Sequence, residues 1–106
     1  MAKIHADEQV ITQINVFEVD PSNQDALAEL LKEAIQQVCG MPGWISASVH
    51  KSLDGRRVTN YAQAADRVAW EKIVARLQGD GFFERFQRLS KPNPCLYRCI
   101  FSLCSE

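Results

Sequence analysis

An α+β fold of the ferredoxin-like kind, a four-stranded antiparallel sheet with helices packed on one face, is predicted by three features of the sequence. Segments of two-residue alternation and of helical spacing follow one another as strand, helix, strand, strand, helix with a short helical extension, and strand. The pair Asp54-Gly55, between two strand-like segments, marks a hairpin. At 106 residues the chain is near the commonest domain size and shows no repeat or low-complexity stretch, so one domain over residues 10–106 is expected.

Residues 1–9 are polar and patternless and read as a flexible leader, with His5 a solvated member of it. From Val10 to Phe17 the residues alternate, Val10, Thr12, Ile14 and Val16 on one side and Ile11, Gln13, Asn15 and Phe17 on the other. Asp20-Pro21-Ser22 opens a helix, with Ser22 as N-cap and Asp25, three residues on, completing a capping-box-like arrangement. Leu27, Leu30, Leu31, Ala34, Ile35 and Val38 give that helix one apolar stripe, and Gly40, Pro42 and Gly43 end it. A second strand runs from about Trp44 to Ser52 and a third from Val58 to Gln63. Asp66 caps a second helix with the stripe Trp70, Ile73, Val74 and Leu77, which Gly79-Asp80-Gly81 interrupts. Phe82, Phe83, Phe86 and Leu89 line a short third helix until Pro92 and Pro94 stop it. Cys95 to Leu103 supplies the last strand, with Tyr97, Cys99, Phe101 and Leu103 on one side.

Hydrophobic residues at 46% and charged residues at 24% are ordinary for a globular protein, and a net charge of -1 leaves no surplus of basic side chains for a phosphate backbone. Nucleic acid is therefore not an expected partner. No apolar run approaches the roughly 20 residues that span a bilayer, and the N-terminus lacks the apolar core of a signal peptide, so a cytoplasmic protein without membrane contact is expected. In that reducing compartment Cys39, Cys95, Cys99 and Cys104 are free thiols, Cys39 at a helix end and the other three as core or interface filler. Their spacing, and their distance in sequence from His5 and His50, matches no metal site.

Alternation sorts the sheet into two faces. One carries Val10, Ile14, Val16, Ile45, Ala47, Val49, Tyr61, Cys99 and Phe101, and the other carries Gln13, Asn15, Ser46, Ser48, His50 and Asn60. The first is too apolar for water, so either the chain's own helices or the same face of a second copy covers it. If the helices cover it, the polar face is solvated. If a second copy does, the helices roof the polar face, where Ser46, Ser48, Ala62 and Ala64 are too small to fill the space, and a pocket results. The small residues favour the second arrangement: a homodimer through the sheets, with a cavity under each roof.

Asn60 sits among Val58, Thr59, Tyr61 and Ala62, which favour or tolerate a half-buried strand, so its amide is expected to point into protein. Either neighbouring backbone or a bound molecule then satisfies it, because leaving it unpaired costs about 1–3 kcal/mol.

Val58-Thr59-Asn60-Tyr61-Ala62-Gln63, the following Asp66-Arg67-Val68-Ala69-Trp70, and Met41-Pro42-Gly43-Trp44 ahead of the second strand resemble the antibiotic biosynthesis monooxygenase domain, over nearly the whole chain after residue 9. The resemblance implies a dimeric α/β barrel built sheet to sheet, and oxygenation of a quinol or anthrone by dioxygen with no metal, flavin or haem cofactor. It also implies site roles for Asn60, Trp70 and His50. One position departs, since the tryptophan usual four residues past the asparagine is here Ala64, leaving Trp70 or Trp44 to fill its space. Haem-degrading relatives depend on that tryptophan and on a histidine in the later helices, and this chain has neither.

A cofactor-free oxygenase needs a substrate that itself gives dioxygen an electron, such as an ionised phenol, quinol or anthrone. The protein has to bind a flat ring, favour its anion and exclude water. Trp70, Phe83 and Phe86 are candidate walls, and Asn60 with Gln13 or Asn15 are candidate donors to a carbonyl or phenolate oxygen. His50 is the candidate base, and Arg85 the candidate contact for an anionic substrate. Each has a plainer reading: a structural histidine, core aromatics, a solvated surface charge. A non-catalytic small-molecule binding or sensing dimer and an isomerase are the alternative functions on this fold.

Overall fold

The computed structural model describes residues 8–105, so the leader expected over residues 1–9, His5 included, lies for residues 1–7 outside the described residues. The elements are β1 (Ile11–Val19), α1 (Gln24–Val38), β2 (Trp44–Lys51), β3 (Arg57–Ala64), α2 (Arg67–Gly79), α3 (Phe82–Leu89), β4 (Ser90–Lys91) and β5 (Pro94–Tyr97). All pairings are antiparallel, in the order β2-β3-β1, with β4 and β5 side by side along the far edge of β1. This is the expected ferredoxin-like α+β sheet. Its last position is split in two because Pro92 and Pro94, lacking N–H groups, cannot sustain a ladder.

β5 ends at Tyr97, not Leu103. Tyr97 pairs with Thr12, one residue from the start of β1, so the chain beyond it runs past the end of its partner strand. Cys95 and Cys104 are exposed and Cys99 is half-buried, so these thiols do not fill the core; all four cysteines are free, and Cys39 is the C-cap of α1.

The first helix starts differently from the expected capping box. Asp20, in extended backbone, accepts from the Ser22 N–H at 3.1 Å and the Ser22 hydroxyl at 2.9 Å, and Pro21 begins a 3-10 turn before α1 starts at Gln24. These bonds hold the Asp20 carboxyl below the usual aspartate range. Asp25 instead pairs with Lys51 at 2.6 Å. At α2 the expected cap is in place, with Asp66 accepting from the Ala69 N–H at 2.8 Å.

The helices bury one face of the sheet. Phe17, Leu27, Leu31, Val58, Phe82 and Phe86 belong to the main core, where Phe17 meets Phe86 edge to face at 5.6 Å. Val38, Ala64 and Ile73 form a second cluster against Trp44 and Trp70. Directly paired residues share a face, so the register of Gln13 with Ala62, Asn15 with Asn60 and Phe17 with Val58 turns all of them toward the helices. Ile14, Val16 and Tyr61 lie on the outer face.

On β2 the expected faces are reversed. Ala47 pairs with Ala62 and Val49 with Asn60, so Ala47 and Val49 face the helices, while Ser46, Ser48 and His50 lie outside beside Gln63, Tyr61 and Thr59. Alternation separates two sides of a strand without saying which is the core. The hairpin closure, Ser52 N–H to Arg57 C=O at 3.0 Å, sets the register that decides it. Trp44 returns to the helix side, opposite Ala64, through a bulge between Trp44 and Ser46.

Just before that bulge the chain passes close to α2. Gly43 has φ 85°, its C=O accepts from the Ala65 N–H at 2.7 Å, and a Cβ built there would overlap the Cβ of Ala69. Only glycine allows this approach, which seats α2, and Trp70 with it, over the sheet.

Candidate active site

A cavity in two parts lies between sheet and helices. The inner part, of about 60 Å³, reaches Asn60, Trp44, Ala47 and Ala62. The outer part, of about 520 Å³, extends to Gln87 on α3 and to Pro92, Pro94 and Leu96 at the sheet's last position. Gln13, Asn15, Trp70, Val74, Phe83 and Phe86 border both parts. The sheet thus contributes three amide side chains, and the helices contribute the aromatic roof.

The amides are in different states. The Asn60 carboxamide oxygen is buried and accepts no hydrogen bond. Asn15, directly across the ladder, accepts from the Asn93 N–H at 2.9 Å, and the Val16 N–H bonds the Asn93 C=O at 3.3 Å. Asn15 therefore pins the chain between β4 and β5 at the outer rim. Among the described residues bordering either part, the only ionisable side chain is that of Cys95, at the outer rim.

Two sequence-predicted residues lie elsewhere. His50, on the outer face, is exposed and hydrogen-bonded with Ser48 Oγ at 3.1 Å, so it does not reach the cavity as a base. Arg85 borders a separate cleft between α1 and α3, 3.6 Å from Glu33 and stacked over Phe82 at 5.3 Å, and does not line the cavity. Asn60, Gln13, Asn15, Trp70, Phe83 and Phe86 are brought together as the alternation and helical spacing suggested. Gln87 and Leu96 were missed. Leu96 pairs with Gln13 and so was legible from strand alternation, whereas nothing in the spacing marks Gln87. Ala64, fully buried, belongs to the small cluster against which Trp44 and Trp70 pack, and Trp44 is its partner across the β2–β3 ladder. Among the described residues no three His, Cys, Asp or Glu side chains converge as a metal site.

Amides of both hydrogen-bonding polarities, flat aromatic walls and scarce ionisable groups suit a planar ligand bearing hydroxyl or carbonyl groups. The family described as antibiotic biosynthesis monooxygenase matches residues 10–89, three quarters of the chain. The chain belongs to that family. Tetracenomycin-F1 monooxygenase of Streptomyces glaucescens is 33% identical to it over 95 residues, covering 89% of this chain and 85% of that protein. A monooxygenase from the gene ActVA-Orf6 of Streptomyces coelicolor, solved in complex with nanaomycin D, superposes with a TM-score of 0.79 at 26% identity, over 92% of this chain and 94% of that one. A variant of SnoaB, a cofactor-independent oxygenase from Streptomyces nogalater, shares the fold with a TM-score of 0.79 at 16% identity, over 92% and 99% of the two chains. Membership of the antibiotic biosynthesis monooxygenase family and these relatives place the chain among the oxidoreductases. No helix among the described residues is long and apolar enough to cross a membrane.

Proposed function

We propose that the chain is a cofactor-independent monooxygenase that oxidises an electron-rich aromatic, a quinol or an anthrone, with dioxygen in the cavity beside Asn60. The unpaired Asn60 carboxamide oxygen at the closed end of an aromatic-walled cavity carries this reading. A buried acceptor without a donor costs about 1–3 kcal/mol, and a bound hydroxyl removes that cost. A relative solved with nanaomycin D supports a small-molecule ligand of that kind.

A cavity so poor in bases suits a substrate acidic enough to ionise without one. The amide N–H groups of Asn60 and Gln13 donate to the oxygen where charge develops, in surroundings of low dielectric that strengthen each bond. Trp70, Phe83 and Phe86 hold the ring and exclude water. The anion passes one electron to dioxygen, and the resulting radical pair combines into a carbon–oxygen bond. The proton released on ionisation returns to this peroxide, and loss of water from the resulting hydroperoxide leaves a carbonyl. In an anthrone one oxygen atom replaces the two hydrogens of the methylene carbon, and in a quinol it replaces one ring hydrogen and one hydroxyl hydrogen; in both the other oxygen leaves as water with those hydrogens, and all electrons come from the substrate.

Oxygen consumption tests this directly. With hydroquinones and anthrones in air-saturated buffer containing a chelator, uptake is expected to exceed the buffer rate for at least one compound and to be unaffected by the chelator. Uptake no faster than buffer for every compound would overturn the proposal.

A homodimer through the outer sheet face belongs to the same reading. Ile14, Val16 and Tyr61 lie there, although Ser46, Ser48 and His50 make that face more polar than the alternation suggested. Ile100, Phe101 and Leu103 are 91%, 74% and 84% exposed in the single chain, which supports a cover for the apolar surface. Sedimentation at micromolar concentration is expected to give twice the 12.0 kDa chain mass; a 12.0 kDa species would contradict the dimer.

A further inference from the structure

We propose that the main chain of Asn93 is a positioning group of this site, holding the Asn15 amide away from Asn60 so that the Asn60 oxygen stays open for a ligand hydroxyl. This rests on the reading above only in that a hydroxyl-bearing aromatic enters the cavity, and it adds what keeps that ligand's acceptor free.

Left alone, the two asparagines would satisfy each other. Asn15 and Asn60 are direct partners across the β1–β3 ladder and share the helix-facing side of the sheet. Side chains paired in this way have Cβ atoms about 4.5–5.5 Å apart, within reach of a hydrogen bond from one amide to the other. The Asn60 oxygen nevertheless accepts nothing, so the Asn15 NH2 is not on it.

The link between β4 and β5 supplies the restraint. In a regular antiparallel ladder, two opposed residues that bond through their main chains exchange both N–H···O bonds. Val16 and Asn93 exchange only one. The Val16 N–H donates to the Asn93 C=O at 3.3 Å, whereas the Asn93 N–H donates at 2.9 Å to Oδ1 of Asn15. A main-chain N–H can only donate, so the Asn15 atom that meets it is the oxygen, and this fixes which way the amide is turned. With its oxygen held sideways by the link, the amide is kept from swinging its NH2 onto Asn60. Pro92 and Pro94, on either side of Asn93, have fixed φ and no N–H, so the link presents this one donor and presents it rigidly.

A ligand site gains from this arrangement and a packed core does not. In a core, facing amides lower the free energy by pairing. Here a third group blocks the pairing, and the acceptor left over lies on the cavity wall. An entering hydroxyl has no Asn15–Asn60 bond to break, so that part of the cost of binding is removed in advance.

A double-mutant cycle read by binding tests the proposal. The probe is 2-hydroxyanthraquinone, a planar aromatic that is already oxidised and carries a free hydroxyl, titrated against the fluorescence of Trp44 and Trp70 on the cavity wall. Asn93→Pro removes the N–H and keeps the C=O that Val16 uses. It is expected to weaken binding about tenfold in the parent, the worth of one competing hydrogen bond. In an Asn15→Ala background, where no amide is left to turn onto Asn60, it is expected to have no effect. Unchanged binding in the parent, or the same loss in both backgrounds, would overturn the proposal, and so would a probe that does not bind the unaltered protein. A measurement on the unaltered, ligand-free protein decides the case in which Asn93→Pro fails to fold. Scalar coupling across hydrogen bonds is expected between the Asn93 nitrogen and the Asn15 carboxamide carbon. Its absence, or a coupling from the Asn15 side-chain nitrogen to the Asn60 carboxamide carbon, would overturn the proposal. Binding is read without turnover, so a protein that binds the probe but oxygenates no aromatic would count against the monooxygenase reading alone.

Discussion

Asn60→Ala is expected to lower the oxygenation rate by about 10²–10³-fold, the usual effect of removing one preorganised group that stabilises developing charge. The same variant is expected to fold at least as well as the parent. The Asn60 carboxamide oxygen is buried without a partner, so deleting it removes a standing penalty of about 1–3 kcal/mol, offset only by the packing of one small side chain. Activity lost with stability kept or gained is the signature of a polar group retained for its ligand. His50→Ala is the matched control. That histidine is exposed on the other face of the sheet, bonded to Ser48, so its removal is expected to leave turnover unchanged. Oxygen uptake and thermal melts on the two variants read both effects. Full activity in Asn60→Ala, or its loss in His50→Ala, would move the chemistry away from the cavity described here.

The largest stability effect is expected at Gly43. Its φ of 85° is strained for any residue with a Cβ, and a Cβ there would overlap that of Ala69 on the first turn of α2. Backbone strain of about 1–3 kcal/mol and overpacking of similar size give a loss of about 2–6 kcal/mol for Gly43→Ala. For a domain of this length that lowers the melting temperature by roughly 10–25 °C. The double variant with Ala69→Gly is expected to recover the steric part only. The φ strain stays, and a helical glycine adds a cost of about 1 kcal/mol. A single Gly43→Ala variant melting within a couple of degrees of the parent would show that the loop yields more easily than its contacts indicate. Because Trp70 follows Ala69 directly, the variant is also expected to weaken binding of the aromatic.

The elements were legible where periodicity reports burial. The stripe from Leu27 to Val38 marks α1, the Asp66 cap marks the start of α2, and the Asp54-Gly55 pair marks the β2–β3 hairpin. The alignment of Gln13 and Asn15 with Asn60 was also legible, since all three sit at positions of one parity on strands whose apolar sides were clear. The faces of β2 were not. Both of its sides carry small residues, and only the closure at Ser52 and Arg57, with the bulge at Trp44, decides that Val49 packs inward while His50 lies outside. That reversal removed the only histidine candidate and left a cavity lined with amides. The last strand misled for a different reason. Its alternation continues to Leu103, but pairing stops where β1 runs out, and no property of residues 98–103 themselves reports the length of their partner. Arg85 shares a short helix with Phe83 and Phe86, and its place on the far side depends on the packing of α3 against α1.

Isotope-labelled dioxygen tests the central claim most directly. With an aromatic consumed by the protein in a chelator-containing buffer, mass spectrometry of the product is expected to show one oxygen atom gained, carrying the label, with the other atom of dioxygen recovered as labelled water. A product of unchanged composition, or one whose new oxygen comes from solvent, would contradict it.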